Sequence, residues 1–435
     1  MINLLILIIL VGLLLILLNI TNDIISPPVI LASIWALPFL WLVISEGVGK
    51  GGYDINIAAL YYVLGVVVFS IGYFICNPRI KRSIVKIEIP DKRKMTLIFK
   101  IFIVLEVLLT LFWFYDLYQY VMGNFQYNFW FTYKWNVAMG NYSDMILIPY
   151  LRTAARIITC IMFIQFLKPG HYKKDTKWFW LQFSITVVLN ILGQGRGGIF
   201  SFIIPMTIIF VMMKRKSNAQ AIKIGCRVII MLLVIFVVYA TLKHPYESLN
   251  SQSTMQILEN YLCGGVVAYV DWINMSHHTY GYGIYTFRFF LAIINAVGFD
   301  VEVVPMVEKY VANINGNVGN VYTFYKWYAN DFGLLYAMSW QFIVGIIHGY
   351  ITKKMYSRKT EKWLLVFSIS FYPLVMQFFM DEYITMLSAW VQIAFWIVIF
   401  LNTKVFYTHS QVPVYSDSES PCGSSPVGIY SAQKS

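Results

Sequence analysis

Charge is what this chain has least of: only 12% of its 435 residues are Asp, Glu, Lys or Arg, against about a quarter in soluble globular domains. A chain so poor in charge cannot present a water-facing surface all round, which excludes a soluble enzyme or binding module. Cysteine is scarce too. Of five cysteines, Cys76, Cys160 and Cys226 lie in or beside apolar stretches, Cys422 lies near the C-terminus and Cys263 stands alone, so no structural disulfide is expected. No CxxC occurs, and the six histidines make no zinc-type spacing. The adjacent His277 and His278 would point apart on a helix, so neither a metal nor a cofactor is expected. The first apolar run, Ile2 to Ile20, lacks a basic start and a small-x-small site before Thr21, Asn22 and Asp23, so it reads as an uncleaved helix.

Apolar length is what the chain has in abundance, with 59% hydrophobic residues. Runs near twenty residues recur, the length a helix needs to cross the hydrocarbon core. The short alternating segments of a transmembrane barrel are not there. Eleven spans are read, at about 2–20, 24–44, 57–76, 95–118, 145–167, 178–192, 199–213, 222–240, 332–350, 363–380 and 384–402. The expected fold class is therefore an all-α polytopic membrane protein with about 11 transmembrane helices and one large extracytoplasmic loop.

The net charge of +12 suggests a nucleic-acid partner until its distribution is read. Basic clusters at Arg79 to Lys94, Lys168 to Lys177, Lys214 to Lys223 and Lys353 to Lys362, with Arg227, hold 21 of the 33 Lys and Arg. All follow spans that exit on one side, which is the cytoplasmic side by the positive-inside rule. No nucleic acid is called for, the N-terminus is expected outside, and the C-terminus inside. The longest outer connector, about 241–331, carries seven of the 21 acidic residues. Loops of that length are usually functional, and Ile257 to Ile273 is apolar enough for an amphipathic or interfacial helix. Residues 1–404 form the membrane domain. Residues 405–435, rich in Ser, Pro and Gly, are expected to be a disordered cytoplasmic tail. No internal repeat is evident, which weighs against inverted-repeat transporters.

Three groups of residues offer chemistry. Gly193-Gln194-Gly195-Arg196-Gly197-Gly198 spells G-x-G-x-x-G, but it joins two apolar spans and lacks the strand and downstream acid of a dinucleotide site. Its glycines permit a tight turn and close backbone approach, and Arg196 offers a planar fork of donors suited to phosphate. The competing reading is a tight hairpin whose arginine snorkels to headgroups. The second group is Tyr282-Gly283-Ile284-Tyr285-Thr286-Phe287-Arg288 together with Gly319-Asn320-Val321-Tyr322-Thr323-Phe324 and Asp331-Phe332-Gly333. Rings among amides, hydroxyls and arginine suit sugars, since rings stack on pyranose faces and polar groups bond their edges. For Tyr285 and Phe324 an interfacial aromatic belt is the alternative. Thirdly, Arg152 and Arg156 share a helix face at i, i+4, and Glu106 lies at a similar depth, about 16 Å, in the antiparallel span before. Glu106 and Arg156 form a candidate intramembrane pair, structural or functional.

Gly193 to Gly198, Tyr261-Leu262-Cys263-Gly264-Gly265, Tyr282 to Arg288, and Asn320 to Thr323 followed by Asp331-Phe332-Gly333 resemble, in that order, the Wzy-type O-antigen and capsule repeat-unit polymerases. The resemblance covers about residues 190–335, a third of the chain. It implies transfer of a glycan from an undecaprenyl diphosphate donor to a lipid-linked repeat unit, with release of undecaprenyl diphosphate and without a metal. By that likeness Arg196 and Arg288 are candidates for diphosphate or sugar contact and Asp331 for a structural or catalytic carboxylate. Gly195, Gly197, Tyr285, Asn320, Tyr322 and Thr323 become candidates for substrate binding. The expected partners are the undecaprenyl-diphosphate-linked oligosaccharide, membrane lipid, a chain-length regulator and a repeat-unit flippase. A departing diphosphate is stabilised by fixed guanidinium groups. The acceptor hydroxyl needs a base, for which Asp331, Glu259, Asp271 and His244 are the candidates.

Overall fold

The computed structural model describes residues 2–47, 56–77, 93–125, 129, 132–133, 136, 141–142, 147–168, 175–192, 196–215, 217–243, 254–274, 280–305, 311–312, 318–319, 322–402 and 407–409. The described helices are α1 (Ile2–Thr21), α2 (Pro27–Gly47), α3 (Leu60–Cys76, entered through a 3-10 turn at Ile57–Ala59), α4 (Leu97–Gly123), α5 (Leu147–Leu167), α6 (Thr176–Leu192) and α7 (Arg196–Lys214). There follow α8 (Asn218–Lys243), α9 (Thr254–Ile273), α10 (Arg288–Ala296), α11 (Tyr325–Phe332), α12 (Leu334–Arg358), α13 (Glu361–Met376) and α14 (Leu387–Asn402). Strand β1 (Arg93–Met95) pairs antiparallel with β4 (Tyr407–His409), and β2 (Val311–Ala312) with β3 (Val318–Gly319).

Among the described residues, seven helical stretches are long and apolar enough to cross a membrane: Ile2–Thr21, Pro27–Glu46, Ile57–Cys76, Leu97–Gly123, Leu147–Leu167, Gly197–Lys214 and Leu334–Arg358. The protein is thus a multi-pass helical membrane protein. Its outer apolar side chains are turned outward as a lipid-facing surface requires, among them Leu108, Leu111 and Phe112 on α4. The other four expected spans coincide with α6, α8, α13 and α14, and α13 and α14 are 16 residues each. The tenth span stops at Met376 rather than 380 and the eleventh starts at Leu387 rather than 384, because residues 377–386 leave the helix and fold into the interior.

The central contact is between α3 and α12. A side-chain carbon at Gly345 would collide with the Phe69 carbonyl, one at Gly349 with the Tyr73 carbonyl, and one at Gly72 with the Phe342 carbonyl. Small residues spaced by four let two helix backbones touch, which is how helices associate where lipid removes the hydrophobic drive. Other extensive contacts join α1 to α2, α7 to α13, α5 to α6 and α14 to α5. Helix α9, expected as an amphipathic or interfacial helix, packs against α2, with Cys263, Val266, Tyr269 and Val270 buried.

Polar contacts divide the bundle into two ends. At one, Arg215 after α7 binds Asp23 between α1 and α2, and Tyr356 near the end of α12 donates to the same Asp23 carboxylate at 2.8 Å. Lys168 after α5 lies 3.8 Å from Glu361 at the start of α13, and Lys100 on α4 lies 3.9 Å from Asp175 before α6. The β1–β4 ladder adds the beginning of α4 and the chain after α14. Every connector with a basic cluster that is described in part therefore meets at this basic end. Residues 407–409 of the expected tail are held in a strand.

Candidate functional site at the connector between α13 and α14

At the opposite end, residues 377–386 form the segment on which three of the four motif stretches converge. Asp381 shapes it: one carboxylate oxygen accepts from the Tyr383 amide and the other from the Thr385 amide, each at 3.0 Å. This side-chain turn satisfies backbone donors that helix would otherwise use. Burial pushes the Asp381 carboxyl above the ordinary aspartate range, and its hydrogen bonds to Thr385, Tyr383 and Tyr328 oppose the rise.

The stretch Tyr322–Phe324 packs on one side of this connector. The Phe324 amide donates to the Gln377 carbonyl at 2.9 Å, and the Phe324 ring meets Tyr383 edge-on at 5.8 Å between centroids. Phe324 is fully buried, so neither a membrane-interface belt nor an exposed sugar platform describes it. Tyr322 carries Lys326 Nζ over its ring at 3.2 Å, and Thr323 is buried. Tyr261 stacks on Phe379 at 5.6 Å, and the missing side chain of Gly265 lets α9 approach the Phe378 carbonyl.

The other side of the connector meets the glycine-rich turn. Arg196 opens α7, and a side-chain carbon at Gly197 would lie 3.0 Å from Tyr372 Oη and 3.8 Å from Glu382 Oε1. Tyr372 donates to Glu382 Oε1 at 2.8 Å, whereas Glu382 Oε2 is buried without a hydrogen-bond partner. A carbon at Gly198 would lie 3.0 Å from Asn190 Oδ1, a second buried acceptor with no donor. Burial pushes the Glu382 carboxyl up to about 7; the Tyr372 hydrogen bond and Arg156 oppose this, and Asp381 adds to it.

Arg156 belongs to this group and not to Glu106. Its Nη1 donates to Ser201 Oγ, which donates onward to the Gly198 carbonyl at 2.7 Å, tying α5 to the first turn of α7. The expected Glu106–Arg156 pair does not form. Glu106 accepts instead from Gln182 Nε2 at 2.6 Å. Helix α6 presents Gln182 to α4 and Thr186 to the Ala155 carbonyl and Thr159 of α5. The depth match was sound, but the rotational setting of α5 turns Arg156 toward α7, while Arg152 lies over the Trp113 ring at 5.9 Å.

The second constellation is a separate clamp. Asp331, fully buried at the end of α11, accepts from the Tyr285 amide at 3.2 Å and from the Thr286 amide at 2.6 Å. The Gly281 amide donates to the Asn330 carbonyl at 2.8 Å, and the chain turns through positive φ at Tyr282 and Gly283. Both Asp331 oxygens are thereby engaged by backbone, which makes this residue a fastener. Arg288 Nε donates to the Val304 carbonyl at 2.7 Å, and Tyr285 meets Trp327 edge-on. Gly195, Asn320 and His244 lie outside the described residues.

Glu382 and Tyr372 escaped the sequence reading, although an Asp-Glu pair between two apolar runs was a visible signal. Among the described residues no group of three or more His, Cys, Asp or Glu is placed to hold a metal ion. No family model, curated protein or solved structure matches the chain.

Proposed function

We propose that this chain is a polymerase of undecaprenyl-diphosphate-linked oligosaccharide repeat units in a bacterial plasma membrane. It crosses that membrane about eleven times, with the N-terminus outside, the C-terminus cytoplasmic and a large outer loop at about 241–331. It joins repeat units into O-antigen or capsule by glycosyl transfer, releasing undecaprenyl diphosphate. The observation that carries this reading is the convergence of three of the four motif stretches on residues 377–386, which sets Gly197 and Gly198, the Arg156 guanidinium and the Glu382 carboxylate side by side at the end opposite the basic connectors.

The chemistry agrees with that reading. Phosphate-binding guanidinium groups and a carboxylate are the parts that glycosyl transfer from a diphosphate needs. Arg196 at the start of α7 holds the donor diphosphate, favoured by the free amides and dipole of a helix N-terminus. Arg288 contacts the sugar chain. The partners are a chain-length regulator and a repeat-unit flippase, and no nucleic acid is involved. The alternatives are a lipid-linked oligosaccharide flippase, for which the buried Glu106 on α4 would serve as an intramembrane carboxylate, and an O-antigen ligase.

The test is the length distribution of surface glycan in cells lacking the protein, complemented with wild type or Arg196→Ala at equal membrane abundance. Long chains with wild type and single units with the variant are expected. Finished polymer retained on its carrier in the null strain would favour the ligase, and repeat units trapped inside the flippase.

A further inference from the structure

Among the described residues, two buried acceptor atoms flank the first turn of α7 without a donor: Glu382 Oε2 and Asn190 Oδ1. Buried polar groups are nearly always hydrogen-bonded, so two unsatisfied acceptors beside one turn call for a ligand that brings donors. Glu382 is 5% exposed and Asn190 1%. Both are held rigidly. Tyr372 fixes the other Glu382 oxygen, Trp390 Nε1 donates to the Glu382 carbonyl at 3.0 Å, and Asn190 Nδ2 donates to the Thr186 carbonyl at 2.7 Å. The turn itself is Gly197 and Gly198, whose backbone lies so close that a side-chain carbon there would come within 3.0 Å of Tyr372 Oη and of Asn190 Oδ1. Sugar hydroxyls are donors of the required kind.

We infer that Glu382 is the general base of this site, taking the proton from the acceptor sugar's hydroxyl while Asn190 Oδ1 receives a hydrogen bond from the same sugar. The assignment rests on the polymerase reading above. In the step, the acceptor oxygen forms a bond to the anomeric carbon of the donor. The bond from that carbon to the diphosphate oxygen breaks, its electron pair leaves with undecaprenyl diphosphate, and the hydroxyl proton passes to Glu382. No metal, oxidant or further reactant is required.

The groups facing Glu382 fit this role. Tyr372 of α13 donates to it, Arg156 of α5 contributes positive charge, Asp381 of its own connector contributes negative charge, and Gly197 of α7 faces it with backbone. Burial, with Asp381, raises the carboxyl to about 7, so the anion is available at neutral pH and remains basic enough to accept a proton.

The experiment uses the full chain in detergent with lipid-linked repeat units extracted from cells lacking the protein, reading release of undecaprenyl diphosphate against pH. Wild type is expected to gain activity as pH rises, with a midpoint near 7. Glu382→Gln should lower kcat by about 100-fold or more with KM little changed, and Glu382→Asp should restore part of it. Tyr372→Phe removes a donor to the carboxylate and should move the midpoint upward by about half a unit or more. Near-normal turnover in Glu382→Gln, or an unmoved midpoint in Tyr372→Phe, overturns the assignment and leaves the polymerase reading standing. Absence of release by wild type itself sinks both.

Discussion

Arg215 and Asp23 form a two-pronged ion pair, each terminal guanidinium nitrogen meeting one carboxylate oxygen, although 192 residues separate them. Both are buried, and Tyr356 donates to the same carboxylate, so two connectors and the last turns of α12 are fastened at one point. Removing one partner leaves an uncompensated buried charge, which costs about 3–5 kcal/mol. Arg215→Met should therefore lower the thermal midpoint in detergent sharply, and the double variant Arg215→Met with Asp23→Leu should recover part of the loss.

The same pair sets a pH limit. Burial raises the Asp23 carboxyl, but the Arg215 hydrogen bonds and charge, with those of Tyr356 and the Ile25 amide, bring it below its usual value of 3.8. A depressed carboxyl contributes stability that is present above the unfolded value and is lost as pH falls through the folded one. Unfolding of wild type should steepen below about pH 4, and Asp23→Asn should show a flatter profile there from a lower starting point. Melting curves from pH 3 to pH 7 check this.

Gly345 faces the Phe69 backbone with no room for a side chain. Gly345→Leu forces α12 away from α3 and should cost at least the roughly 1–3 kcal/mol typical of overpacking. Gly12→Ala on α1, where nothing lies within 4 Å, should leave the midpoint nearly unchanged.

Since Glu106 bonds Gln182 and Arg156 bonds Ser201, the two are not coupled. A double-mutant cycle of Glu106→Gln and Arg156→Gln should be additive within about 0.5 kcal/mol. A larger coupling would restore the direct pair.

Asp331 should behave as a fastener. Asp331→Ala frees the Tyr285 and Thr286 amides and should cost about 1.5–3 kcal/mol, the range for hydrogen bonds to a charged group. Hydrogen exchange at those two amides should accelerate strongly.

Much of this was legible in the sequence because hydropathy and charge act over whole segments. Apolar runs located the helices, and the clusters at Lys168, Lys214 and Lys353 marked connectors that do meet at one end. What escaped depends on rotation and on short-range turn chemistry. Arg156 and Glu106 lie at matching depth, yet nothing along the chain states which way α5 faces. Met380 to Tyr383 reads as the tip of a hairpin, and only the folded chain shows that Asp381 bends residues 377–386 inward and carries Glu382 beneath Gly197. Phe324 reads from the sequence as a sugar-stacking or an interface aromatic, because burial by a distant connector leaves no local mark.

The most direct test of the polymerase claim places the purified full chain in vesicles of bacterial phospholipid with extracted lipid-linked repeat units. A ladder of lengthening glycans on the carrier, with undecaprenyl diphosphate released in step with each added unit, is the expected result. Repeat units that cross the bilayer but never lengthen would contradict it and identify a transporter instead.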